Sequence, residues 1–199
     1  MIAADEARHT TLLREHDFVF VGGATHDGIP LFRAMLGAHP RIWCPPERKL
    51  VPVMAELHAT WSGTMSRDLR RAGVDDAVME AAARAWLTVF LRAGAPAGMR
   101  VVDQTPHNVL HAAWLGRIFP RARFLHLIRD GGRSSDAAAR YRATVVDAAR
   151  EQADAVPGRY LEVRQTDLAT APRATMEQVL AFLGEPWDDA VLDPLDASS

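Results

Sequence analysis

Lysine is almost absent from this chain. Among 199 residues only Lys49 carries an ammonium side chain, while arginine abounds. Chemistry that needs a lysine must use that one or do without. Cysteine is as scarce: a single thiol, Cys44, excludes an internal disulfide framework and a cysteine-rich metal site, and it fits a reducing compartment. No apolar run approaches the roughly 18 residues of a membrane span. The opening "MIAADEARHTTLLREHD" mixes charges and lacks the apolar centre of a signal peptide. A formal net charge of −2 gives no general attraction to nucleic acid or to an anionic membrane. The expectation is a cytoplasmic protein that binds neither.

A hydrophobic content of 48% and a charged content of 24% are those of an ordinary globular protein. The length suits one domain over 1–199, with 1–16 and 193–199 loosely ordered. Short apolar runs stopped by turn residues predict strands at "DFVFVG", "MRVVDQTP", "ARFLHLIRDGG" and "RYLEVRQTDL". Helical spacing predicts helices at "LFRAMLGAH", from Leu50 (with Val53, Met54, Leu57 and Trp61), from about Asp75 to Arg92, at "NVLHAAWLGRIF" and at "PRATMEQVLAFLGEPW". From Arg140 to Arg159 there is room for one further helix. Strands alternating with helices imply an α/β fold, a mostly parallel sheet flanked by helices. Ligands then bind at the carboxyl ends of the strands. Those ends carry Gly22 to Gly28, Asp103 to His107, Arg129 to Ser135 and Arg164 to Asp167.

The first of these segments has the outline of a phosphate-binding loop. Gly23 and Gly28 stand at G-x-x-x-x-G spacing between a strand-like and a helix-like run. A working loop continues with Lys and then Ser or Thr. This one continues Ile29-Pro30 and carries His26 and Asp27 inside.

Three stretches, "FVGGATHDGIPLFRAMLGAHPRIWCPPERKLVP", "VVDQTPHNVLHAAWLGRIFPRARFLHLIRDGGRSS" and "YLEVRQTDLATAPRATMEQVLAFLGEPWDDAVL", resemble the sulfotransferases, closest to the tyrosylprotein sulfotransferases and their bacterial relatives. The resemblance implies a P-loop NTPase-like sulfotransferase fold, shortened in the acceptor and lid region. It also implies 3′-phosphoadenosine 5′-phosphosulfate (PAPS) as sulfuryl donor and a hydroxyl acceptor. The family's P-R-S-G-T-T segment is here Thr25-His26-Asp27-Gly28-Ile29-Pro30, which keeps only the glycine. Gln104 stands where the family has a lysine beside the leaving phosphate. Arg129 matches the arginine that begins the 3′-phosphate site, and the serine eight residues later is Ala137. Glu47 matches the glutamate that acts as general base toward the acceptor. Arg33, His39 and Pro40 match as well, and Lys49 takes a neighbouring arginine's place.

Charge-assisted hydrogen bonds contribute about 1.5–3 kcal/mol each. Losing three forfeits ~5 kcal/mol or more, several thousand-fold in affinity. The leading expectation is therefore an enzyme on this scaffold that needs no cofactor. It would perform acid–base chemistry, such as cyclisation, elimination or isomerisation, on a small biosynthetic intermediate. The alternatives are a PAPS-dependent sulfotransferase with a rebuilt site, and a non-catalytic relative that binds or scaffolds a partner. Candidate catalytic residues are Glu47, His26, Asp27 and Asp103. Candidate substrate-binding residues are Arg33, Lys49, Gln104, His107, Arg129, Arg133 and Ser134. The shortened region implies an open pocket, or one that a second subunit completes in a homodimer. No tight metal-ligand spacing is present.

Overall fold

The computed structural model describes residues 18–24, 29–129 and 135–196. Five strands, β1 (Val19–Gly22), β2 (Ile42–Trp43), β3 (Arg100–Gln104), β4 (Arg123–Ile128) and β5 (Tyr160–Arg164), form one sheet in the order β2-β3-β1-β4-β5. Every pairing is parallel. The connections hold α1 (Ile29–Ala38), α2 (Leu50–Ser62), α3 (Ser66–Arg71), α4 (Asp76–Arg92), a 3-10 turn (Pro106–His111) leading into α5 (Ala112–Ile118), and α6 (Asp136–Ala153). After β5 come α7 (Gln165–Thr170), α8 (Pro172–Leu183), a 3-10 turn (Asp189–Leu192) and α9 (Asp193–Asp196). No helix among the described residues is long and apolar enough to cross a membrane.

The strands are mostly apolar because both faces of the sheet are covered. Alternation along each strand divides them between two cores. Val19, Val21, Leu125, Leu127 and Val163 meet Phe32, Met35 and Leu36 of α1 and Met176, Val179 and Leu183 of α8. On the opposite face Phe18, Phe20 and Phe124 meet α2, α4 and α5 through Met54, Leu87 and Leu115. Phe18 packs edge-on to Phe119 at 4.9 Å, and Phe20 stacks on Phe124 at 5.8 Å.

Local chemistry ends the helices where the sequence says it should. The Asp75 carboxylate accepts from the Val78 amide at the start of α4, and the Ser135 hydroxyl accepts from the Ala138 amide at the start of α6. Gly184 closes α8 at φ 72°, a left-handed cap. Arginines serve several other ends. Arg48 donates to the carbonyls of Phe90 and Leu91 in α4. Arg159 donates to those of Gly116, Phe119 and Ala122. Arg123 donates to that of Phe182. Arg100 and Arg41 instead hold the buried Glu185 at 2.7 and 3.2 Å.

The structure corrects five sequence expectations. β2 is a further strand, too short at two residues to show a period. "NVLHAAWLGRIF" is not one helix but a 3-10 turn followed by α5. "RYLEVRQTDL" leaves the sheet at Arg164 and continues as α7. Within 193–199, expected to be loose, Asp193–Asp196 form α9 and Leu195 packs on the α1–α8 core. The helix from Leu50 forms, but Val53 and Leu57 of its predicted stripe are exposed, and Val51 and Met54 supply its buried face.

The glycine pair after β1 has a packing reason that needs no anion. A Cβ on Gly23 would sit 2.5 Å from the Leu127 carbonyl oxygen, and one on Gly22 would sit 2.6 Å from that of Pro106. Both obstacles are backbone and cannot swing away. Gly23→Ala is expected to lower stability by at least ~2 kcal/mol, at the upper part of the overpacking range. Chemical denaturation with an unchanged midpoint would refute that account of the pair.

Candidate functional site

Because all five strands are parallel, their carboxyl ends share one edge of the sheet. The order β3-β1-β4 sets the end of β1, at Gly22, between the end of β3, at Gln104, and the end of β4, which Arg129 follows. The Gly23 amide donates to the Pro106 carbonyl at 2.9 Å, and the Thr105 amide donates to the Val21 carbonyl at 3.2 Å. Asn108 completes the join. Its side-chain amide donates to the Val21 carbonyl (3.3 Å), the Asp103 carbonyl (3.0 Å) and Asp103 Oδ2 (2.9 Å).

Asp103, expected as a candidate acid–base residue, is 2% exposed. It also accepts from the Thr105 hydroxyl at 3.3 Å, and Arg48 lies 3.9 Å from Oδ1. Burial pushes its carboxyl above the usual range, against the lowering effect of Asn108, Arg48 and Thr105, and the charge of Glu47 raises it further. Its carboxylate is spent on holding the turn. Glu47 is half-buried on the segment between β2 and α2, near enough to Asp103 for that repulsion. Lys49 ends the same segment, exposed, with φ 55°.

Arg33, half-buried on α1, lies close enough to Cys44 for its charge to favour the thiolate. Burial dominates nonetheless and pushes the Cys44 thiol up to about 12, so this sulfur is no nucleophile. Gln104 ends β3, buried, and Arg129 follows β4, half-buried. His107 is exposed, with Nε2 3.4 Å from the Tyr141 hydroxyl. It lies near enough to His111 for its charge to lower the His111 pKa, after the larger effect of burial. His26 and Asp27, with the rest of Thr25–Gly28, lie outside the described residues, as do Arg133 and Ser134. No group of three or more His, Cys, Asp or Glu among the described residues is placed to hold a metal ion.

His39 has a structural position. Its Nδ1 accepts from the Arg41 amide at 3.2 Å, which leaves Nε2 to donate to the Pro186 carbonyl at 2.9 Å. Sequence reasoning missed Arg48, Asn108 and His126. Arg48 was legible in principle, since an inward residue between Glu47 and Lys49 must find partners for its charge. His126 lies inside β4, wholly buried, 2.5 Å from the Tyr160 hydroxyl through Nδ1. Its Nε2 is buried without a partner. Burial, opposed by Glu162 and aided by Arg150, pushes its pKa down to about 4.

Residues 18–189 match the family described as Sulfotransferase family. A protein-tyrosine sulfotransferase 2 from Gallus gallus is 30% identical over 90% of this chain and 54% of its own length. A protein-tyrosine sulfotransferase from Drosophila melanogaster is 29% identical over 94% of this chain and 42% of its own. The chain thus spans about half the length of these relatives. Among solved structures, a sulfotransferase domain from the curacin biosynthetic pathway aligns over 90% of this chain and 77% of that one, with a TM-score of 0.63 at 19% identity. A sulfotransferase domain from the Synechococcus PCC 7002 olefin synthase gives 0.57 at 21% over 90% of this chain and 76% of that one. These likenesses establish the fold.

The buried imidazole makes stability depend on pH. The His126 pKa is depressed in the folded state, so the stabilisation is complete above the ordinary value of 6.5 and is lost as pH falls toward about 4. By pH 4 the loss amounts to about 3 kcal/mol at ~1.4 kcal/mol per unit. Asp103 works against this trend, since its raised pKa makes proton uptake favour the native state. His126→Asn keeps an acceptor for Tyr160 and does not titrate. Its denaturation midpoint should fall less than that of the parent between pH 6.5 and 4, and equal falls would place the titration elsewhere.

Proposed function

This chain belongs to the sulfotransferase family, and on that premise we propose that it transfers a sulfuryl group from PAPS to a hydroxyl on a small-molecule acceptor. The observation that carries this reading is the order of the carboxyl edge. The end of β1 is flanked by Gln104 at the end of β3 and by the end of β4, which Arg129 follows, with Glu47 on the segment after β2. That is where the family resemblance puts the donor's two phosphate ends and the acceptor.

The residues present fit the donor in position and are thin in charge. Arg129 follows β4 as a permanent cation for the 3′-phosphate. Gln104 offers two amide hydrogens beside the leaving phosphate and no charge. Ile29 and Pro30, which open α1, bring no hydroxyl. When bound, PAPS supplies the sulfuryl group and departs as adenosine 3′,5′-bisphosphate. On the protein side Glu47 takes the acceptor hydroxyl's proton at a carboxylate oxygen. Gln104 donates to the negative charge that builds on the leaving phosphate. The closely packed edge at Gly22 and Gly23 keeps these groups in register.

A second reading, acid–base chemistry without PAPS on a small biosynthetic intermediate, is favoured by one specific feature. The positions at which the family concentrates cationic and hydroxyl groups are here Gln104, Ile29 and Pro30. Calorimetry with adenosine 3′,5′-bisphosphate separates the two. Under the sulfotransferase reading the protein binds it, and Gln104→Lys tightens binding at least about tenfold, the ~1.4 kcal/mol that one charge-assisted contact adds over a neutral one. No binding at millimolar ligand in either protein would overturn the proposal and favour the second reading. Glu47→Gln should lower turnover about 10²- to 10⁴-fold with folding intact. A variant retaining more than about a tenth of the activity would remove Glu47 from the role of general base.

A further inference from the structure

Residues 44–49 join the end of β2 to the start of α2. Among the described residues, no backbone-to-backbone hydrogen bond outside the regular elements has a partner in this segment. Cys44, in the core with α1, holds its start, and Pro45 and Pro46 stiffen it. Arg48 holds its end. Its Nη1 donates to the Phe90 carbonyl at 2.9 Å and its Nη2 to the Leu91 carbonyl at 3.1 Å, both at the end of α4. Asp103 Oδ1 lies 3.9 Å from Nη2, and the guanidinium carbon stands 5.1 Å from the Trp43 ring centroid. The Arg48 Nε is buried without a partner, so the contact is made by the two terminal nitrogens.

The neighbours behave differently. Lys49 is exposed, and it is the single non-glycine residue at positive φ among the described residues, in a conformation disfavoured for any side chain. Glu47 is half-buried. An inward Arg48 thus fixes the backbone from which Glu47 projects.

We propose that Arg48 is a positioning residue that ties the segment 44–49 to α4 and β3 and thereby holds the Glu47 carboxylate in its working place. The role of Glu47 rests on the sulfotransferase reading; the tie itself does not. Lysine is a poor substitute for Arg48, because a single ammonium lacks the planar fork that spans two carbonyls.

Two measurements test this. The first is a turnover cycle with PAPS and a hydroxyl acceptor. Arg48→Met should lower kcat about 10- to 100-fold and leave the Kd for adenosine 3′,5′-bisphosphate within about threefold. In a Glu47→Gln background the same change should cost less than about twofold, since residues that act through one another are not additive. Arg48→Lys should recover part of the loss. Additive losses, or an undiminished kcat, would overturn the proposal. The second measurement needs no substrate. Cys44, the chain's sole thiol, is 8% exposed in the same segment. A thiol reagent should label it at least about tenfold faster in Arg48→Met than in the parent, and faster in Arg48→Lys, beyond what the measured global stabilities explain. Unchanged labelling overturns the tie. A parent protein that turns nothing over while the labelling result holds would sink the sulfotransferase reading and leave the tie standing.

Discussion

The carboxyl edge of the sheet depends on how closely the backbone after β1 meets the backbone after β3. Gly22 and Gly23 have no Cβ, and carbonyl oxygens fill the space where one would be. Asn108 reaches across with one amide group to three oxygens on two strands. An amide nitrogen has two hydrogens, so one is shared between acceptors. Asp103 is one of the acceptors and at the same time faces Arg48, which holds the end of α4 and the segment bearing Glu47. The buried hydrogen bonds of Asn108, an ion pair at 3.9 Å and the partly exposed hydrogen bonds of Arg48 thus tie β1, β3, α4 and the segment before α2. Buried polar networks of this kind are costly to break, because every orphaned member keeps its desolvation penalty.

The arginine-rich composition acquires a physical meaning in the same frame. Arg41 precedes β2, Arg100 begins β3, Arg123 begins β4 and Arg159 precedes β5. All four stand at the amino edge, opposite the candidate site. There they bind Glu185 or the carbonyls at helix ends. A planar fork suits several carbonyls at once, a task for which an ammonium is less fitted. These four arginines therefore serve the fold at the edge away from the candidate site.

The sheet was legible in the sequence because strands buried on both faces leave short apolar runs, unbroken at Val19–Gly22 and interrupted by His126 in Phe124–Ile128. Periodicity could not show β2, which has two residues, or the switch from 3-10 turn to helix at Ala112. The carboxyl-edge convergence followed from topology alone. What sequence could not separate was a polar residue that serves a ligand from one that serves the fold. Asp103 looks like a site residue in a string of letters, and its burial and hydrogen bonds give it structural work as well. Arg48 looks like a bystander between Glu47 and Lys49, yet its guanidinium binds the end of α4.

Lys49 carries a consequence of a different kind. Apart from the amino group at the start of the chain, it is the only primary amine in these 199 residues. It is solvent-exposed, two positions from Glu47. Its left-handed backbone, at φ 55°, leads directly into α2. An amine-directed fluorophore or cross-linker therefore has a single side chain to react with, at the carboxyl edge itself. The molecule thus carries an addressable handle beside the candidate site.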